Sequence, residues 1–397
     1  MSLLSSRPAL RWAVPVGVLA AALAAGGVDS VLSANAAPSL PERSAEQLLV
    51  DLQNARVQNF SGTVVQKADL GMPSLPAAGS QGSSNLTSLI SGTHTLRVWS
   101  AGPEKMRFAL LGTLGESDVI RNKQDLWTWS SSENSATHYR LSENAGTEKE
   151  LPLQPPLGAK SPLPTTPADA ADQLLKAIDP STKVSTDGTA KVAGRSAYEL
   201  VLEPRDTASR VSQVRLAVDA TKHIPLRVQV FPKGSGKPAL EVKFEQISFA
   251  TPSDEQFRFT APRGTKVTEG KLFGADGEHP DLPGKAGAPG KPDGLEKPGA
   301  LAGAKPTIIG KGWTSVLVLH GAKLPEIADK QGGHDGGNPL AGVLSSLPKV
   351  DGAWGSGTLL KSKLFSALLT DDGRLLVGAV SPEQLYAAAA DPAAKVK

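Results

Sequence analysis

Cysteine is absent from the 397-residue chain. That excludes disulfides, thiolate nucleophiles and a lipid anchor on cysteine, so the fold must rest on its apolar core. Aromatic residues make up only 5% and the formal net charge is just +3. A chain so near neutrality lacks the basic footprint of a nucleic-acid binder. Catalytic signatures are also missing: there is no Gly-x-Ser-x-Gly elbow, no His-Glu-x-x-His zinc motif and no Walker loop. Ser346 and Lys349 match Ser-x-x-Lys, but Pro348 disrupts the helical turn that would join them. The six histidines are scattered, and the one suggestive pair, His334-Asp335, sits in a glycine-rich stretch that reads as solvated loop. No cofactor or metal is expected, and an enzyme is the third choice among function classes.

The N-terminus carries Arg7 and Arg11, then an apolar run from Trp12 to Val28, then Ala34-Asn35-Ala36. Basic, apolar, small-x-small is the order of a secretory signal peptide over 1–36. The rival reading is an uncleaved anchor over 13–34, a length that approaches a membrane span, although Asp29 and Gly26-Gly27 weaken it. Either way the chain is expected outside the cytoplasm. Loss of Arg7, Arg11 and Asp29 with that segment lowers the net charge from +3 to +2.

Beyond it, Leu48, Leu49, Leu52 and Ala55 recur at helical spacing within 42–57. Six strands are expected over 60–66, 93–100, 105–111, 117–122, 125–130 and 136–141, several alternating apolar with polar. The Gly/Ser/Pro-rich stretch 71–92 reads as a mobile loop. Thr166-Pro167-Ala168-Asp169 opens a second helix whose apolar face carries Ala170, Leu174, Leu175 and Ile178. Further strands follow over 190–192, 197–203, 211–219, 226–231 and 240–249, and Phe257-Arg258-Phe259 closes the set. Residues 269–305 have linker composition. A smaller domain spans 306–391, with strands at 313–319 and 375–380, an apolar stretch 359–369 that fits strand or helix, and a last helix opened by Ser381-Pro382-Glu383-Gln384. The class is α+β.

Several stretches in the larger unit, 42–268, resemble the LolA-like superfamily of periplasmic lipoprotein carriers and RseB/MucB sigma-factor regulators. They are Phe60-Ser61-Gly62-Thr63-Val64, Lys105-Met106-Arg107-Phe108 and the turn Asn122-Lys123-Gln124-Asp125 leading into Leu126-Trp127-Thr128-Trp129. The most specific is Val192-Ala193-Gly194-Arg195 continuing to Glu203-Pro204, followed by Val218-Asp219, Ile224-Pro225 and Pro262-Arg263-Gly264. The two-domain layout resembles the RseB/MucB side. The resemblance implies a curved, unclosed antiparallel β half-barrel with capping helices, plus a small C-terminal α+β domain. It implies as partners lipid or lipoprotein acyl chains in an apolar hollow; the alternative partner is an anti-sigma factor or other membrane protein.

The candidate lining joins helix residues Leu48, Leu52, Leu174, Leu175 and Ile178 to sheet residues Val64, Leu96, Val98, Met106, Phe108, Trp127 and Trp129. Trp127 and Trp129, at i and i+2, share one strand face, where they either line a cavity or fill a core.

Overall fold

The computed structural model describes residues 39–55, 57–72, 84, 88–89, 91–113, 115–141, 166–168, 170–171, 180–270, 307–320 and 347–395. The expected signal segment, most of 269–305 and the helix positions Leu174, Leu175 and Ile178 lie outside these residues.

Helix α1 (Ala45–Asn54) starts where Ser44 and Gln47 satisfy each other's backbone N–H groups in a capping box. Its buried stripe is Ala45, Leu48 and Leu52. Six strands follow: β1 (Asn59–Ala68), β2 (Gly92–Ala101), β3 (Lys105–Leu111), β4 (Glu116–Asn122), β5 (Asp125–Ser130) and β6 (Ser135–Arg140). The next five are β7 (Thr182–Val192), β8 (Arg195–Pro204), β9 (Val211–Asp219), β10 (Pro225–Pro232) and β11 (Leu240–Ser248). With β12 (Lys266–Gly270) they form one sheet in the order β12-β6-β5-β4-β3-β2-β1-β11-β10-β9-β8-β7, antiparallel throughout except that β12 joins β6 in parallel. β12 and β7 stand at opposite ends, so this is an unclosed, curved half-barrel.

The sequence reading differs from this at several places, among them the strand expected over 313–319, where a 3₁₀ turn (Gly312–Thr314) precedes a strand that begins only at Val316. β7 is eleven residues long rather than three, because it is an edge strand rich in polar residues with a shifted register between Thr186 and Thr189, which hides its alternation. Phe257-Arg258-Phe259 is not a strand: a 3₁₀ turn (Asp254–Phe257) buries Phe257, and β12 takes the sheet edge. Ser84, Ser88 and Leu89, within the stretch read as a mobile loop, are buried, and Gln66 donates to the Leu89 carbonyl at 3.2 Å. The ambiguous stretch 359–369 resolves into two strands.

Those strands belong to a second sheet, made of β13 (Thr307–Ile309), β14 (Val316–His320), β15 (Lys349–Gly352), β16 (Gly355–Lys361), β17 (Ser366–Thr370) and β18 (Arg374–Gly378) in the order β13-β14-β18-β17-β16-β15. Helix α2 (Pro382–Ala390) buries Leu385, Ala388 and Ala389 against it. The strand ends of this sheet dock on the larger unit. Leu364 enters the large core, Arg210 donates to the Ser362 carbonyl at 2.6 Å, and Trp313 donates to Thr182 Oγ1 at 2.8 Å.

Candidate functional site

Cross-strand register assigns each residue of the large sheet to a face. Val64 opposes Leu96, Leu96 opposes Leu110, and Val98 opposes Phe108. Phe108 opposes Val119, and Leu126 opposes Tyr139. Across the other half, Val64 opposes Phe244, Val242 opposes Val228, Val228 opposes Leu216, and Leu216 opposes Leu200. One face is therefore largely apolar, with Gln66, His94 and Arg121 buried among its side chains. Leu48 and Leu52 of α1 pack into the same cluster, and Tyr198 donates to the Pro41 carbonyl at 2.9 Å, holding the entry to the helix.

Of the candidate lining, the structure brings together Leu48, Leu52, Val64, Leu96, Val98 and Phe108, all buried, with Met106 half-buried at the rim beside Ser100. It does not bring Trp127 and Trp129 there. Trp127 opposes Ile120 and His138, and Trp129 opposes Asp118 and Ala136, so both lie on the opposite face. Counting from Leu126 corrects the assignment: Leu126 and Thr128 share the apolar face, and strand alternation sends the tryptophans outward. They are half-buried there, with Trp127 stacked on His138 at 4.4 Å and tilted against Phe259 at 4.9 Å between ring centres. Sequence reasoning put Leu110 on one face with Met106 and Phe108 but left it out of the lining, and it missed Leu126, Tyr139 and the whole apolar row of β8 to β11. The alternation in Tyr198-Glu199-Leu200-Val201-Leu202 was the available signal.

The outward face is mixed: Ile120, Ala136 and Val201 lie there beside charged groups. Glu199 is buried between Arg215, at 3.3 Å, and Arg227. Trp99 lies between the guanidinium groups of Arg97 and Arg107, 4.9 and 5.4 Å from its ring centre. Asp118 is almost fully buried there. Burial, and then the neighbouring Glu116, push its carboxyl up to about 7, against the pull of Arg107. A carboxyl raised on folding binds its proton more tightly in the folded state. It therefore favours folding at low pH and loses that effect as pH climbs from its unfolded value of 3.8 through about 7. Lowering the pH from 8 to 6 is expected to stabilise the protein by roughly 1 kcal/mol through this group. Chemical denaturation at the two pH values checks this, and Asp118→Asn should remove the difference.

Two open polar clefts stand apart from the apolar face. One, of about 340 Å³, is lined by Lys191, Arg227, Lys243 and Glu245 among others. The other, of about 480 Å³, runs between the two sheets' units and is lined by Ser209, Arg210, Lys233, Lys363, Ser381 and Gln384. Among the described residues no group of three or more His, Asp or Glu is arranged to hold a metal ion, and no helix is long and apolar enough to cross a membrane.

No family model matches the chain, and none of the curated proteins does. Among solved structures it is similar to MucB in complex with MucA(peri), at 16% identity over 87% of this chain and 97% of that one, with a TM-score of 0.39. The MucA/MucB complex of Pseudomonas aeruginosa gives 16% identity over 87% and 96%, with a TM-score of 0.40. A LolA superfamily protein, NE2245 from Nitrosomonas europaea, gives 12% identity over 55% of this chain and 99% of that one, with a TM-score of 0.22. The solved structures that this chain resembles thus include MucB and LolA-superfamily proteins, all at low identity.

Proposed function

We propose that this chain is an exported, non-enzymatic binding protein that takes the acyl chains of a lipid or lipoprotein into the interior of its half-barrel. The observation that carries the reading is the largely apolar face of an open sheet, onto which a ten-residue helix packs together with Leu89, Ala171 and Leu364. Leu48 and Leu52 hold that helix with roughly 1.5–3 kcal/mol each, whereas a long acyl chain gains about 0.8 kcal/mol per buried methylene. A chain of a dozen or more methylenes therefore outweighs the helix contacts it displaces. Few polar contacts are needed, which suits a face without charged groups at Val64, Leu96, Val98, Phe108 and Leu110. The N-terminal basic-apolar-small pattern supports an extracytoplasmic site of action. Native mass spectrometry of the chain mixed with a hexadecyl lysophospholipid tests this. A saturable one-to-one adduct is expected; absence of saturable uptake overturns the proposal.

A second reading makes the partner the extracytoplasmic part of an anti-sigma factor. The observation that favours it is the polar cleft of about 480 Å³ between the two units, where Arg210, Lys233 and Lys363, the last paired with Asp69 at 2.6 Å, gather positive charge that would attract an extended segment bearing acidic groups. Co-purification with such a membrane protein, abolished by reversing the charge at Lys233, would support this reading over the first.

A further inference from the structure

The ladder between β10 and β11 is shorter than either strand. It runs from Val230 opposite Leu240 to Arg227 opposite Lys243 and stops. β11 continues to Ser248, paired with β1 alone. Two features of β10 account for the stop. Its first residue, Pro225, has no N–H to give to a ladder. A register shift between Pro225 and Arg227 also bends the strand where it pairs with β9. A gap therefore opens inside the sheet, on the side of Phe244, Glu245 and Gln246 that faces away from β1. Lys191, Val192 and Ala193, at the tip of the hairpin between β7 and β8, form its other wall. This gap is the cleft of about 340 Å³ described above, within the size range of small-ligand pockets.

The cleft is amphipathic. Its open rim is polar, but Val192 and Phe244 in its lining are buried members of the large apolar cluster. Phe244 opposes Val64, so this side of the cleft lies one residue from the row of Val64, Leu96 and Leu110.

The rim carries a surplus of positive charge. Arg227 is matched by Glu199. Lys191 and Lys243 have no ion-pair partner among the described residues, and Glu245 is the one acid in the lining. Just beyond the hairpin tip and the end of β11, Arg195 and Lys222 lie over the Phe249 ring, 4.8 and 5.7 Å from its centre. Arg195 is matched by Asp219, whereas the Lys222 ammonium adds to the unpaired charge. Gln246, exposed at the rim, offers an amide to neutral hydroxyl groups.

Building on the lipid reading above, we infer that this cleft holds the headgroup of the bound lipid, a phosphodiester of net negative charge, with Lys191 and Lys243 as its counter-ions. An acyl chain by itself needs only the apolar side of such a cleft, and a free anion only the charged side. A site with both fits a molecule with both.

Two lysophospholipids with the same hexadecanoyl chain separate headgroup from chain: lysophosphatidylglycerol, which is anionic, and lysophosphatidylcholine, which is net neutral. Titration of the full chain, read by native mass spectrometry, is expected to show the anionic lipid bound roughly tenfold more tightly, the size expected of two exposed ion pairs. Lys191→Gln and Lys243→Gln together should remove that preference and leave the affinity for lysophosphatidylcholine as it was. Lys191 is exposed and Lys243 half-buried, so the double variant keeps the core intact. Lys237→Gln, on the loop at the other end of β10 and β11, should change neither affinity. Equal affinities in the unaltered chain overturn the inference and leave the acyl reading standing. A preference that survives in the double variant overturns it too, because the headgroup then sits elsewhere. Inorganic phosphate bound as tightly as lysophosphatidylglycerol marks a free-anion site and has the same consequence. If neither lipid binds saturably, the acyl reading fails and the headgroup site with it.

Discussion

Replacing Arg195 with alanine is expected to lower folding stability by about 3–5 kcal/mol, because it leaves a buried carboxylate without its charge partner. Asp219 is fully buried at the end of β9. It accepts hydrogen bonds from the Arg195 guanidinium, from the Thr221 N–H at 2.9 Å and from the Lys222 N–H at 2.6 Å. Burial pushes its pKa up, but Arg195 and the two backbone donors outweigh that and hold it below the ordinary 3.8. A carboxyl depressed on folding contributes stability above its unfolded value, and that contribution is lost as pH falls through the lower folded one. The penalty of Arg195→Ala should therefore be full at pH 7 and shrink under strongly acidic conditions. Urea denaturation of both proteins across that range checks the magnitude and the direction.

The second large effect concerns the ligand. If the half-barrel interior receives an acyl chain, affinity must grow with the number of methylenes buried. Four more of them, a hexadecyl against a dodecyl chain on one headgroup, are expected to strengthen binding by about 3 kcal/mol, or roughly 200-fold. Competition against a fluorescent fatty acid measures the ratio. A surface site that holds only the headgroup would give nearly equal affinities.

Much of this architecture was legible because local chemistry and tertiary role coincide in short stretches. Val192-Ala193-Gly194-Arg195 is a two-residue hairpin turn in which Ala193 and Gly194 both take positive φ, 52° and 74°. The same turn delivers Arg195 to Asp219, so one motif encodes both a fold and a buried ion pair. Gly62 in Phe60-Ser61-Gly62-Thr63-Val64 is explained by space: a Cβ there would lie 2.5 Å from the Gln246 carbonyl oxygen on β11. Ser44 and Gln47 likewise announce α1.

The candidate lining was legible only in part, because a face is a relation between strands. Met106, Phe108 and Leu110 alternate plainly, but nothing local to Trp127-Thr128-Trp129 says which way that strand faces. Two large aromatics weigh toward the interior, yet pairing with β4 turns them outward and sets Leu126 inside. β12 was illegible for a different reason. Its Lys-Val-Thr-Glu-Gly sequence has no apolar alternation, and its edge position leaves four of five residues exposed. Only the parallel partner β6 makes it a strand.

The central claim is that acyl chains enter on the face of Leu96 and Phe108 and not on the face of the tryptophans. A hexadecyl lysophospholipid with a diazirine at the tip of its chain tests this most directly, by photolysis and peptide mapping of the full chain. The account predicts adducts on α1 and on β1 to β3, within Ala45–Asn54, Asn59–Ala68, Gly92–Ala101 and Lys105–Leu111. Adducts confined to Trp127, Trp129 and Phe259, or none above a heat-denatured control, would contradict it.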